Sequence, residues 1–160
     1  LKRFSAVDRM SAERVHLNEV IERSVRWVVQ SAPMRFQVDM DLPADLYCQG
    51  SSGQLQQVVM NLIQNACDAT ASQPDATLRI VGNKHDDQVT LRFIDNGPGI
   101  APANLSRLFE PFFTTKPVGQ GTGLGLSISY GIVDRHGGKL EAGNGPEGGA
   151  VFTLTLPLAA

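Results

Sequence analysis

The sequence predicts a single α/β domain, and three observations carry that prediction. Its 160 residues, 42% hydrophobic and 19% charged, suffice for one soluble globular unit with its own core. Short segments with period-two apolar alternation recur between Arg35 and Pro157. Between them lie segments of helical periodicity, the longest running from about Gly53 to Thr70. There is no internal repeat.

Leu1 to Glu13 reads as a helix end, with Leu1, Phe4, Val7 and Met10 at near-helical spacing. Arg14 to Leu17 reads as a short strand. Asn18 stands where a helix over Glu19 to Gln30 needs an N-cap, with Val20, Ile21, Val25 and Val28 inward and Pro33 closing it. Arg35 to Asp41 alternates, with Phe36, Val38 and Met40 on one face of a strand, and Leu46 to Gln49 is a second short strand. Ser51 or Ser52 caps the long helix. Leu55, Val58, Val59, Leu62, Ala66 and Ala69 form its apolar stripe. Asn61, Asn65 and Asp68 form a second row at spacings of four and three. Two carboxamides and a carboxylate beside a buried stripe suit a hard cation, which takes oxygen ligands; a solvated polar edge is the plainer alternative.

Ala76 to Val81 and Gln88 to Asp95 are the next strands. Asp95 shares the parity of Val89, Leu91 and Phe93, so the second strand ends in a core-facing carboxylate. Such a carboxylate needs a donor, and an amino group on a ligand would serve. Asp95-Asn96-Gly97-Pro98-Gly99-Ile100 then breaks the chain, as a simple turn also would. Ala101 to Thr122 is mostly irregular, with a helical turn expected within Pro102 to Phe109. Phe109, Phe112 and Phe113 fit neither a strand nor a helix period, and a long irregular segment in a compact domain suits a lid or a disordered loop. Leu124 to Arg135 is a helix apolar on more than one side, hence expected to be sandwiched, and Gly137-Gly138 ends it. Lys139 to Ala142 and Ala150 to Pro157 are closing strands, the latter with Phe152, Leu154 and Leu156 inward.

Before that last helix, Gly119-Gln120-Gly121-Thr122-Gly123-Leu124-Gly125-Leu126 alternates glycine with other residues. Glycines let backbone N–H groups turn toward one point, and the free N–H groups of a helix start add positive charge there, so the pattern fits an anion site as well as an ordinary turn. The familiar phosphate loops are absent. A third Rossmann glycine would fall at Leu126, and the only Gly-Lys, Gly138-Lys139, is followed by Leu140. A net charge of −2 without a Lys/Arg cluster disfavours nucleic acid as a partner. No apolar run reaches membrane-spanning length and no signal peptide is present. The chain starts at Leu1, as a piece of a longer protein would. Cys48 and Cys67 suggest neither a zinc site nor a disulfide scaffold, and fit a reducing cytoplasmic setting. His16, His85 and His136 are isolated, and are expected to be surface or structural rather than metal ligands.

Four stretches now stand in one order: Asn61-Leu-Ile-Gln-Asn65-Ala, Asp95-Asn-Gly-Pro-Gly99, Phe109-Glu-Pro-Phe-Phe-Thr-Thr-Lys116 and Gly121-Thr-Gly-Leu-Gly125. That series closely resembles the N, G1, F and G2 boxes of the ATP-binding domain of sensor histidine kinases. These belong to the wider GHKL ATPases, with type II topoisomerase, Hsp90-type chaperone and mismatch-repair ATPase domains. The resemblance covers about Val15 to Leu158. It implies a two-layer α/β sandwich, a mixed β-sheet packed on helices, known as the Bergerat fold, with ATP held between the long helices and a mobile lid. By motif match, Asn65 would coordinate Mg²⁺ with Asn61 beside it at the phosphates, and Asp68 is a further candidate there. Asp95 would accept a hydrogen bond from the adenine amino group. Gly97 and Gly99 would let the backbone approach the base, next to Ile100. Phe109, Phe112 and Phe113 would anchor the lid. Thr115, Lys116 and Gly119 are candidate ligand contacts, and Gly121, Thr122, Gly123, Leu124, Gly125 and Leu126 would wrap the phosphates. Asn61, Asn65 and Lys116 would carry the catalytic role.

The resemblance further implies that residues 1–14 end a dimerisation and phosphoacceptor hairpin and that residues 15–160 form the catalytic domain. The implied activity is transfer of the γ-phosphoryl group of Mg·ATP to a histidine on that hairpin. The implied partners are the hairpin of the same, homodimeric parent and the receiver domain of a response regulator, in a cytoplasmic setting whether or not the parent is membrane-anchored. Three departures stand out. Many kinases of the family carry lysine where this chain has Asp68, and Thr or Ser where it has Ala150. None of the three histidines sits in the family's acceptor motif, so the acceptor is expected outside this chain. Clamp ATPases of the wider group use a glutamate one turn before the magnesium asparagine; Asn61 stands there, and a carboxamide cannot take a proton. A non-catalytic module that reports nucleotide state is the remaining alternative.

Overall fold

The computed structural model describes residues 12–32, 35–115 and 124–159. In chain order, β1 (Glu13–His16) leads into α1 (Leu17–Ser31), and β2 (Gln37–Asp41) and β3 (Tyr47–Gly50) precede the long α2 (Ser52–Ala69). The hairpin of β4 (Thr77–His85) and β5 (Gln88–Asp95) is followed by the short α3 (Pro102–Leu105). Helix α4 (Gly125–Arg135) and the pair β6 (Lys139–Asn144) and β7 (Ala150–Pro157) complete the order.

Five strands form one mixed sheet in the order β2-β4-β5-β7-β6, while β1 and β3 form a separate antiparallel ribbon with Val15 opposite Cys48. Among the described strands only β2 and β4 run parallel, with Val38 opposite Leu78. A parallel pair requires a long crossover, and β3 with α2 supplies it. Between β4 and β5 the chain turns at Asp86-Asp87, where Asp86 takes a left-handed φ of 54°. Strand parity sorts the sheet into two faces. Val89, Leu91, Phe93 and Asp95 of β5, and Phe152, Leu154 and Leu156 of β7, are buried, whereas Arg79, Asn83 and Arg92 lie exposed on the other side. The buried face meets α1, α2 and α4, so the core is the layer between sheet and helices; Leu17, Ile21, Leu62, Ile63, Leu78, Leu91 and Leu154 are sealed within it. This is the expected two-layer α/β sandwich. Among the described residues, no helix is long and apolar enough to cross a membrane.

Several local expectations give way to tertiary contacts. Helix α1 begins at Leu17 with His16 in the cap position and no side-chain cap bond. Asn18 is therefore not the cap. It reaches the loop ahead of β3, donating from Nδ2 to Pro43 O (2.8 Å) and accepting Leu46 N–H on Oδ1 (2.9 Å). Met40 is 41% exposed rather than inward, because β2 is the edge strand; Phe36 just before it is buried and Val38 is only partly covered. On α2, Ala69 is exposed, while Ile63 and Cys67 join the buried stripe. Helix α4 is packed on two sides, against α2 and β6, burying Ser129, Ile132 and Val133, while Ile128 and Tyr130 on its outer side are exposed. Strand β4 runs past Val81 to His85 and β6 past Ala142 to Asn144, because their backbones follow the ladders of β5 and β7 beyond the end of apolar alternation.

Candidate functional site

Helix α2 organises the site. It starts as expected, with Ser51 Oγ accepting Gln54 N–H at 3.2 Å. Its buried stripe faces the sheet and its polar row lies beside that stripe. Asn61 and Asn65 are half-buried and Asp68 is exposed. Asp68 Oδ1 accepts from Gln64 Nε2 one turn earlier (2.9 Å), and Asn61 Nδ2 donates to Ser129 Oγ on α4 (3.2 Å). Among the described residues, nothing hydrogen-bonds the Asn65 carboxamide.

Asp95 ends β5 on the core face, 8% exposed, as strand parity predicts. Among the described residues, two hydrogen bonds reach its carboxylate and both converge on Oδ1, one from Gly97 N–H (2.9 Å) and one from Ala150 N–H (3.1 Å). Burial pushes its carboxyl above the ordinary value, and the two N–H groups partly offset that. The turn that follows is fixed on both sides by asparagines. Asn96 accepts Thr77 N–H on Oδ1 (2.9 Å) and donates to Asp75 O (2.8 Å). Asn144, at the end of β6, grips Ile100 through both backbone groups, at 2.7 Å to its N–H and 2.8 Å to its C=O. Gly99 is left-handed at φ 82°, and Gly149 packs so tightly on the Asp95 carbonyl that no Cβ fits there.

Beyond α3, Leu108 is buried and Phe109 packs on Tyr130 of α4 (5.1 Å between ring centroids). Phe113 lies partly buried under the Arg107 guanidinium, 4.6 Å from the ring centre. Phe112 does not anchor this segment. The chain passes through a left-handed φ of 69° there, and its side chain is 73% exposed. Thr115 is exposed. Helix α4 starts at Gly125, after Leu124, whose side chain offers no capping group. Leu126 is half-buried against the core. Lys116, Gly119, Gly121, Thr122 and Gly123 lie outside the described residues.

Glycine contacts reveal how these parts are spaced. A Cβ on Gly125 would come within 2.5 Å of Asn61 Oδ1, so α4 begins directly over Asn61. A Cβ on Gly97 would lie 3.2 Å from Asp95 Oδ1 and 3.3 Å from Ala69 O, so the turn after β5 sits on the other end of α2. From Asn61 to Ala69 the helix rises about 12 Å, with Asn65 midway. Sequence reasoning missed Ser129, Asn96 and Asn144; their signal is a polar residue in an apolar row or a turn, which many sequences carry without a site.

The family profile described as "Histidine kinase-, DNA gyrase B-, and HSP90-like ATPase" matches residues 50–160. This chain belongs to that family. It is 45% identical over 131 residues to the two-component sensor PprA of Pseudomonas aeruginosa, covering 77% of this chain and 14% of PprA. It is 38% identical over 159 residues to the C4-dicarboxylate transport sensor protein DctB of the same organism, covering 98% of this chain and 26% of DctB. The chain thus spans about a quarter or less of these relatives. Among solved structures, the mycobacterial sensor histidine kinase MprB superposes with a TM-score of 0.82 at 29% identity, covering 92% of this chain and 97% of that one. Histidine kinase ThkA, solved in complex with the response regulator protein TrrA, superposes at 0.73 and 29% identity, covering 92% of this chain and 42% of that one. The fold is that of histidine kinase ATP-binding domains.

Proposed function

We propose that this domain binds Mg²⁺·ATP along α2 and presents the γ-phosphoryl group to a histidine on a separate dimerisation hairpin of the same parent. The observation that carries this reading is the line Asp95 and Gly97, then Asn65, then Asn61 under the start of α4, spaced along one rigid helix. In that order the line suits a base, a metal and a phosphate chain.

Asp95 accepts the adenine amino group, since both described protein donors sit on Oδ1 and leave Oδ2 to a ligand. Guanine places an oxygen there instead and is rejected. Asn65 offers a half-buried amide oxygen with no described protein partner, which fits Mg²⁺, an ion content with one protein oxygen plus phosphates and water. When bound, Mg²⁺ neutralises phosphate charge. Asn61 and the N-terminal turn of α4 meet the phosphates, and Lys116 with Gly119, Gly121, Thr122 and Gly123 completes the cradle. Phosphoryl transfer needs mainly positioning and charge neutralisation, which these groups supply. The nucleophile comes from elsewhere. His136 has both ring nitrogens engaged, Nε2 by Ser51 N–H and Nδ1 by Ile132 O. Exposed Phe112, Ile128 and Tyr130 are apolar side chains left for contact with the hairpin. The ThkA–TrrA complex supports a response regulator as the next acceptor, and the parent acts as a homodimer.

The test mixes this chain with the parental hairpin and γ-labelled ATP and magnesium. Acid-labile label is expected on the hairpin and not on His16, His85 or His136. Equal affinity for ATP and GTP by calorimetry, or stable label on this chain alone, overturns the reading.

A further inference from the structure

Ser129 is out of character for its place. It stands in the inner row of α4 with Ile132 and Val133, 1% exposed, where the helical pattern calls for an apolar side chain. A hydroxyl buried in such a seam is unfavourable unless it is hydrogen-bonded. Its partner across the seam is Asn61, whose Nδ2 donates to Ser129 Oγ at 3.2 Å. The same carboxamide is closed in from the previous turn of α4, where Gly125 leaves no room for a Cβ beside Asn61 Oδ1. Asn61 is thus held between two positions of α4 one turn apart. Free asparagine side chains have a broad terminal torsion, and this contact restricts it. Asn65, one turn along α2, has no such tie among the described residues.

We propose that Ser129 is a positioning residue for Asn61: it fixes the carboxamide at the start of α4, in the place where the phosphates are read above to bind. The proposal rests on that reading of Asn61. It also means that displacing α4 along α2 would carry the Asn61 side chain with it, so the glycine-rich segment and the polar row of α2 would report on one another.

A double-mutant cycle on this chain tests it, using calorimetry with a non-hydrolysable ATP analogue and magnesium. Loss of one hydrogen bond predicts that Ser129→Ala weakens binding about three- to tenfold in the wild-type background. In the Asn61→Ala background the same change is expected to alter affinity less than about twofold, because its route is gone. An NMR readout on nucleotide-free protein separates positioning from general loosening. The side-chain NH₂ resonances of Asn61 are expected to shift in Ser129→Ala while those of Asn144 stay. Equal losses in both backgrounds, or unmoved Asn61 resonances, overturn the role of Ser129 and leave Asn61 at the ligand. Wild-type affinity in Asn61→Ala instead removes Asn61 from the ligand, and the positioning role falls with it.

Discussion

At the scale of single residues, Asp95 combines a stability burden with the recognition role proposed for it. Its carboxyl is raised above the reference value of 3.8 by burial, against the opposing pull of Gly97 and Ala150 N–H. A carboxyl raised by folding favours the fold in its protonated form. That contribution is complete below the unfolded value and is lost as pH rises through the folded one. Asp95→Asn keeps an oxygen for both N–H groups and removes the buried charge. Its melting temperature without nucleotide is therefore expected to gain on wild type as pH rises above about 4, the ordinary value of the carboxyl. Its ATP affinity is expected to fall roughly ten- to a hundredfold, the scale of a charge-assisted hydrogen bond. Thermal scans across pH beside calorimetry check both halves, and a variant less stable than wild type at neutral pH contradicts the first. Gly125 links the two properties. A methyl there meets the movable end of Asn61 rather than backbone, and alanine is the better helix former. Gly125→Ala must displace the Asn61 carboxamide and its bond to Ser129. It is expected to lose nucleotide affinity and some stability, the better helix propensity of alanine offsetting part of the stability loss. Unchanged affinity would mean that Asn61 can yield without consequence.

At the scale of elements, α2 and α4 are joined twice, by Asn61 to Ser129 and by Ser51 to His136. Ser51 N–H donates to His136 Nε2 (3.1 Å), which leaves Nδ1 to donate to Ile132 O (2.8 Å) and so selects one neutral tautomer. The Cδ2–Nε2 edge of the ring lies against Gly50, where a Cβ would overlap it. Gly50→Ala must therefore displace the ring and break the second tie. Overpacking of this kind costs about 1–3 kcal/mol, readable as a lowered urea midpoint with little change in slope. A wild-type midpoint would show that His136 can move aside and that the tie is dispensable.

At the scale of the molecule, the single core between sheet and helices shields both cysteines. Cys48 is 2% exposed with its thiol pushed up to about 11 by burial, and Cys67 is raised by burial and then by the charge of Asp68. The thiolate is the reactive form, so at pH 8 about a thousandth of Cys48 is reactive even before access is considered. Alkylation followed by mass spectrometry is expected to leave Cys48 unmodified in native buffer and to label both cysteines in urea. Rapid native labelling of Cys48 would mean that the β1–β3 ribbon opens readily.

The sequence by itself determined the element order, the buried faces of β4, β5 and β7 and the place of Asp95, because alternation and helical periodicity are local and survive in one dimension. It also determined the family, through four short stretches whose spacing matters more than any one residue. It misplaced Asn18, Met40, Ala69 and Phe112. For Asn18 and Met40, a contact distant in sequence, or its absence at an edge, outweighed the local pattern. Pro43 and Leu46 claim Asn18, and β2 has no neighbour to cover Met40. Only the tertiary structure decided that Ser129 meets Asn61 and that Asn144 grips Ile100, 68 and 44 residues apart in the chain. A side chain chooses such partners only once packing has brought two elements together, and no periodicity records which pair will meet.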